Sequence, residues 1–352
     1  MPQPRSRQPN EHGCMFCFSS DAMNKEHVFP QSIGGSFWFY QPCVACNSKL
    51  GSSVDSLLTD HPLVIMRRAR FGIEGQKGAI PDLFTHGTLD RSSAAGPDVV
   101  RVRKTIDSAS GEWRASIIPT FSTFVGENKI KTFSGIFDDE VTARKWFKKE
   151  LARQNLAPAT PVECEAVWQS SLITGTIDNP QVQFNVQIDL YRYRHAIIKI
   201  AYEMAWQWLG DAWLQDAIAR KIRKVLRSAP KVGTIKLHGE ISVGSTEFFD
   251  RMVQWMGLQD HEHSATLFVV DDKAAIFITI FNIFFAVLTV TESATLYGRV
   301  DARATPAPVL LLNAASATHR MLDLSAMFAR GRNDATGAVE DTTPRSSMPS
   351  QE

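Results

Sequence analysis

Two Cys-x-x-Cys pairs, Cys14-Met15-Phe16-Cys17 and Cys43-Val44-Ala45-Cys46, are separated only by residues 18–42. No other feature of the chain limits its fold so tightly. A Cys-x-x-Cys knuckle directs two thiolates at one ion, and a second knuckle at this spacing completes the four-sulfur set that a structural zinc prefers. The spacing predicts a small zinc-stapled unit with Cys14, Cys17, Cys43 and Cys46 as its ligands. The fifth cysteine, Cys164, has no histidine near it in sequence and reads as a small packed residue rather than a nucleophile.

Between the knuckles lie Glu26-His27-Val28-Phe29-Pro30 and the pair Gly34-Gly35, and Asn47 follows the last cysteine directly. These residues resemble the zinc-knuckle members of the HNH, or ββα-metal, nuclease family, which read Cys-x-x-Cys, Glu-His-Val-x-Pro, a Gly-Gly turn and Cys-x-x-Cys-Asn. The resemblance spans residues 14–58. Farther on, only Arg194-His195-Ala196 through Lys199-Ile200-Ala201-Tyr202 is similar, to a helix in some full-length relatives. The resemblance implies that Glu26 binds a catalytic metal, that His27 activates water, and that Asn47, on the helix after the second knuckle, completes the metal site. Asp55 falls on roughly the same helical face as Asn47 and would support the metal or the base. One position departs from the family. Trp38, within Ser36-Phe37-Trp38-Phe39-Tyr40, stands where relatives usually carry a middle Asn. Either a backbone carbonyl then orients His27, or catalysis is weakened.

The chemistry is coherent without the family name. Hydrolysing a phosphodiester needs a nucleophilic water, a base with a pKa near neutrality, and a cation to offset charge on the phosphate and the leaving alkoxide. Adjacent residues of a strand point to opposite faces, so Glu26 and His27 can share a site only at a strand end or a bend. Pro30 and Gly34-Gly35 provide an interruption nearby. Oxygen ligands such as Glu26 and Asn47 suit magnesium or manganese, whereas thiolates suit zinc, so two distinct metal sites are implied. The competing reading is a catalytically inactive zinc module that binds nucleic acid or a protein partner.

A chain of 352 residues, 44% of them hydrophobic, exceeds one typical domain. Its formal net charge of +1 leaves no global excess of basic residues, so affinity for DNA, the expected partner, must come from local patches. Arg220, Arg223, Lys224 and Arg227 form such a row on a helix expected over 212–227, opposite Leu214, Ile218, Ile222, Val225 and Leu226. Lys49 is a second candidate for a phosphate contact. For both, an ordinary solvated face is the alternative. Residues Met1 to Pro9 lack the apolar core of a secretory signal, and the expected location is cytoplasmic.

Strands are expected over 99–106 and 113–121, paired as a hairpin, and over 164–177 and 181–190. Helices are expected over 139–155 and, as the longest such pattern, 192–209. The stretch from Ala274 to Thr291 carries no charge and is long enough to raise a membrane span. Its Ile, Val, Phe and Thr content, Asn282 at its centre and the strand-like Leu267 to Val270 before it favour a buried hairpin and no membrane. The expectation is an α+β protein. Residues 1–12 form a flexible lead, 13–60 a zinc-stabilised ββα-metal module, 61–302 a mixed strand and helix domain of unassigned role, and 303–352 a largely disordered tail with one weak helix near 318–329.

Overall fold

The computed structural model describes residues 13–75, 78–90, 99–106, 113–125, 131–156, 160–174, 181–228, 239–297 and 307–336. They mix strand and helix, as expected of an α+β chain. The expected flexible lead, 1–12, lies outside them.

The described residues up to Pro81 and those from Ile188 onward form one compact unit, and Asp82–Gln187 forms another. The division thus differs from a separate module at 13–60, and the reason lies in the core. Phe16, Val28, Phe29, Ile33, Leu50 and Leu58 of the knuckle segment belong to the same buried cluster as Ile197, Tyr202 and Ile278. A segment this short cannot bury a core of its own, and it completes one with chain that arrives more than a hundred residues later.

In the first unit, β1 (Met23–His27) and β2 (Trp38–Cys43) form an antiparallel hairpin that runs into α1 (Val44–Leu50). The chain continues through a π-helical segment, Gly51–Asp55, and a last helical turn, Ser56–Thr59. His61 then caps α2 (Pro62–Phe71), its Nδ1 accepting from the Leu63 amide at 3.3 Å while Nε2 donates to the Asp189 carbonyl at 3.1 Å. After Ile188 come α3 (Arg194–Leu209) and α4 (Ala217–Arg227), joined by a 3-10 turn over Asp211–Gln215.

A six-stranded antiparallel sheet follows, built from β3 (Gly239–Val243), β4 (Glu262–Val270), β5 (Lys273–Ile280), β6 (Phe284–Thr291), β7 (Pro308–Asn313) and β8 (Thr318–Asp323) in the order β8-β7-β4-β5-β6-β3. Alternation along β5 separates its faces. Ile276, Ile278 and Ile280 join the core under α3, whereas Phe277 packs with Phe249 and Met256 of α5 (Glu247–Met256) and Met327 of α6 (Leu324–Thr336).

The uncharged stretch 274–291 is therefore the β5–β6 hairpin, turned at Phe281 and Asn282, both of positive φ. No described helix is long and apolar enough to cross a membrane. The expected disordered tail is corrected over 307–336. β7 inserts Val309, Leu310 and Leu312 fully buried beside β4, so a stretch poor in charge here supplies a sheet strand. The rest of that tail lies outside the described residues.

The second unit holds a four-stranded antiparallel sheet of Val99–Ile106, Trp113–Ile117, His86–Asp90 and Val182–Gln183, a ladder of Thr120–Val125 with Lys131–Ile136, and helices Glu140–Arg153 and Pro161–Ser171. The 99–106 and 113–117 hairpin matches expectation. The strand expected over 164–177 is instead helical to Ser171, because Thr160 and Glu163 form a capping box and Pro161 occupies the first helical position. Only Val182–Gln183 of the expected strand 181–190 pairs.

His263 of β4 ties the hairpin segment to the sheet. Its Nε2 donates to the Ile33 carbonyl at 2.9 Å, and its Nδ1 accepts from the Phe281 amide at 3.2 Å. Full burial pushes its pKa down to about 4, so the folded protein holds it neutral. The unfolded chain takes up a proton near pH 6.5 and the folded one only near 4. Stability is therefore expected to be level above pH 6.5 and to fall between 6.5 and 4 by on the order of 3 kcal/mol from this group. Urea unfolding across that window checks this, and His263→Asn should flatten the acid limb by about one proton.

Candidate metal and catalytic centre

Cys14 and Cys17 sit on the loop before β1, Cys43 ends β2, and Cys46 lies one turn into α1. Their sulfurs all lie within 4.8 Å of one another, with Cys17 and Cys43 at 3.6 Å. A zinc ion about 2.3 Å from each sulfur requires sulfurs about 3.8 Å apart, so the set fits zinc in both donor type and spacing. Backbone amides support the sulfurs: Phe16 donates to Cys14 Sγ and Cys46 to Cys43 Sγ, each at 3.4 Å. Burial and the adjacent Cys14 and Cys17 sulfurs push the Cys46 thiol pKa well up, a crowding of thiolate charge that a dication relieves. α3 clamps the knuckle. Tyr202 donates its hydroxyl to the Met15 carbonyl at 2.6 Å and stacks on Phe16 at 5.2 Å between centroids.

The hairpin register pairs Glu26 with Phe39 and His27 with Trp38. Directly opposed residues share a face, so His27 and Trp38 project on one side with Lys25 and Tyr40, and Glu26 with Phe39 on the other. No bend interrupts the register at these two residues, and His27 closes β1, so the strand end is the expectation that applies here. Glu26 points inward and is buried. His27 remains half-buried at the end of β1, and burial, reinforced by the positive charges of Lys25 and Lys199, pushes its pKa down to about 4. It is neutral at pH 7, and with this pKa it is a weaker base than a group titrating near neutrality. Trp38 is 42% exposed, with the Lys25 ammonium 4.5 Å from its ring centroid. Among the described residues no group hydrogen-bonds the His27 ring, so neither an Asn nor a backbone carbonyl orients it. Asn47 holds α1 against β1, its Nδ2 donating to the Lys25 carbonyl at 2.8 Å.

Glu26 meets a partner that sequence reasoning missed. Lys199, fully buried in α3, donates to Glu26 Oε1 and to both Asp55 oxygens at 3.0 and 2.9 Å, and Glu203 lies 3.6 Å away one turn along the helix. The π-helical segment, one residue wider per turn, ends on Asp55. Asp55 thus meets Glu26 through the Lys199 ammonium. Burial disfavours the charged lysine, yet Asp55, Glu203 and Glu26 together raise its pKa. A lysine and a glutamate four residues apart within the apolar run from Ala196 to Trp206 were the available signal, because buried charges must pair.

The basic row divides. Arg220, Lys224 and Arg227 are exposed on α4. Arg223 is a correction: it turns inward, donating to the Leu214 carbonyl at 2.7 Å and the Tyr202 hydroxyl at 3.3 Å and lying 4.4 Å from the Phe18 ring centroid. At the row's spacing it falls on the edge nearest the core, where its fork satisfies two buried oxygens. Lys49 is exposed and its ammonium donates to the Arg227 carbonyl at 3.2 Å, at the C-terminal end of α4. If the remaining row tracks a phosphate backbone, reversing Arg220 and Lys224 to Glu weakens nucleic-acid binding for all sequences alike and lowers the log-log salt slope by about 0.9 per phosphate contact removed. An unchanged slope would make both residues ordinary solvated surface.

No curated protein and no solved structure gives a match to the chain. Residues 14–63 match the family model described as HNH endonuclease. The matched span holds both knuckles, Glu26, His27, Asn47 and Asp55. Over residues 14–63 the chain is therefore similar to the HNH endonuclease family, and the four cysteines of that span lie close enough together to hold a zinc ion.

Proposed function

We propose that the protein is a metal-dependent endonuclease that hydrolyses phosphodiester bonds in DNA, with His27 as general base, Glu26 and Asn47 at a magnesium or manganese site, and zinc held by Cys14, Cys17, Cys43 and Cys46. A cytoplasmic location goes with this reading. The observation that carries it is His27: an imidazole at the end of a strand, on the outward face of a hairpin whose Cys43 joins the four-sulfur cluster with Cys46 of α1.

The side chains present suit a hard divalent cation. Among the described residues Glu26 Oε2 and Asn47 Oδ1 make no hydrogen bond, and three carboxylates stand around one ammonium, so the local charge has the sign a cation needs. Magnesium is ordinarily held by one or two carboxylates together with water and substrate phosphate, so a closed protein cage is not required. Such an ion, when bound, offsets charge on the phosphate and the leaving alkoxide. His27 takes the proton of the attacking water at a ring nitrogen. Lys25, beside it on the same face, attracts the phosphate backbone, and Arg220 and Lys224 add to that attraction.

Plasmid nicking in magnesium or manganese, with zinc content verified, tests the reading directly. Absence of cleavage across DNA and RNA in all metals sinks it. The second reading, an inactive zinc module that binds without cutting, is favoured by one observation: Trp38 occupies the place of the Asn that would steady the base. Binding without nicking by wild-type protein is its signature.

A further inference from the structure

Lys199 contributes a permanent positive charge to the acid site from outside the matched span. Its ammonium sits where the Glu26 carboxylate, arriving from β1, and the Asp55 carboxylate, arriving from the π-helical segment, converge. It also touches the Glu203 carboxylate, whose two oxygens are buried and accept no hydrogen bond. Lys199 is itself fully buried, so its ammonium has these carboxylates, and no water, as its partners. We propose that Lys199 is the resident cation of this acid site, filling the place between Glu26 and Asp55 that a divalent ion would otherwise take and leaving Glu26 only Oε2 for the catalytic metal.

The proposal rests on the nuclease reading for the phrase catalytic metal, but the cation's place is measurable without any cleavage. Three carboxylates and one ammonium amount to a formal charge of −2 when all are ionised. Burial raises the pKa of Glu203, while the neighbouring ammonium opposes that rise. Lys199 is a positioning residue in this arrangement. It fixes the side chain of Glu26 without reaching substrate, holds Asp55 away from the metal, and lets the hairpin and the helix pack together in the absence of a divalent ion. Because both Asp55 oxygens bond the ammonium, a divalent ion next to Lys199 draws on few protein ligands and depends on the substrate phosphate for the rest.

The test uses the full-length zinc-loaded chain and Mn2+ as the probe, read by thermal unfolding and by Mn2+ electron paramagnetic resonance. Lys199→Met leaves the Glu26 and Asp55 carboxylates facing each other beside Glu203 with no cation between them, so its Tm without Mn2+ is expected to drop by about 5 °C or more. Added Mn2+ should restore most of that loss and bind at least about tenfold more tightly than to wild type, whose Tm should barely move. Lys199→Arg, which keeps the charge, should follow wild type, and Glu26→Gln placed on Lys199→Met should abolish the Mn2+ rescue. If Lys199→Met does not fold unaided, it should fold in Mn2+ and be lost on dialysis against Mn2+-free buffer. Equal Mn2+ shifts in wild type and Lys199→Met, rescue that survives Glu26→Gln, or failure to fold even in Mn2+ each overturns the proposal. A wild-type protein that cuts nothing while Lys199→Met shows the Mn2+ rescue would end the nuclease reading and leave the place of the cation established.

Discussion

His27→Ala is expected to lower the rate of DNA cleavage in magnesium or manganese by about 10²- to 10⁴-fold, the usual contribution of a positioned general base. Zinc content, thermal stability and DNA binding should stay close to wild type. The imidazole makes no hydrogen bond among the described residues and faces outward from the hairpin, so its loss removes a proton acceptor without opening the core or touching the sulfur cluster. Glu26→Gln should behave differently. It keeps the volume but removes a charge from the pair with Lys199, so it should both destabilise the fold and raise the metal concentration needed for cleavage, with partial recovery at high manganese. His27→Ala should show no such recovery, because extra metal supplies no base. Nicking rates at several metal concentrations, for variants matched in zinc content, separate the two. If His27→Ala cuts as fast as wild type, the imidazole is not the base and the nuclease assignment loses its central residue.

What could be read from the sequence, and what could not, follows the range of the interactions. The zinc cluster was legible because its four ligands lie in two local pairs whose spacing has few other uses. The short motif around His27 was legible in the same way, and it lies in the matched span. The facing of Glu26 was not, since it depends on a register in which Glu26 meets Phe39 and on a lysine 173 residues away. Lys199 and Glu203 show their mutual i,i+4 pairing locally, but not the arrival of Glu26 and Asp55. Arg223 was misplaced because a charge row is read from one helix alone, while its inward turn is decided by Tyr202 on another. The strand expected over 164–177 failed against a local signal that was present and overlooked, the capping box of Thr160 and Glu163 with Pro161. The tail was misread because low charge and many small residues describe both a disordered stretch and a buried strand such as β7, and only pairing with β4 decides between them.

Cys43→Ser should have the largest effect on the fold. Cys43 is the last residue of β2 and the N-cap of α1, its sulfur accepting from the Cys46 amide while also belonging to the four-sulfur set. Serine can keep the cap, since its oxygen is a good acceptor at that position, so the substitution isolates the loss of the thiolate. A structural zinc site contributes apparent binding free energies of about 10–16 kcal/mol, comparable with the whole stability of about 5–15 kcal/mol of an ordinary domain. Losing one ligand is therefore expected to release the ion and unfold at least residues 14–58. Because Phe16, Phe29 and Leu50 share a core with α3 and β5, the damage should spread beyond the matched span and lower the main unfolding transition, rather than leave the six-stranded sheet untouched. Metal analysis should find one zinc per chain in wild type and much less in Cys43→Ser, and limited proteolysis should cut first within the knuckle segment. Cys164→Ser, in the second unit and outside the cluster, should retain the full zinc content. Full zinc retention in Cys43→Ser would show that the ion is held by another set of ligands, and the close approach of these four sulfurs would then need a different explanation.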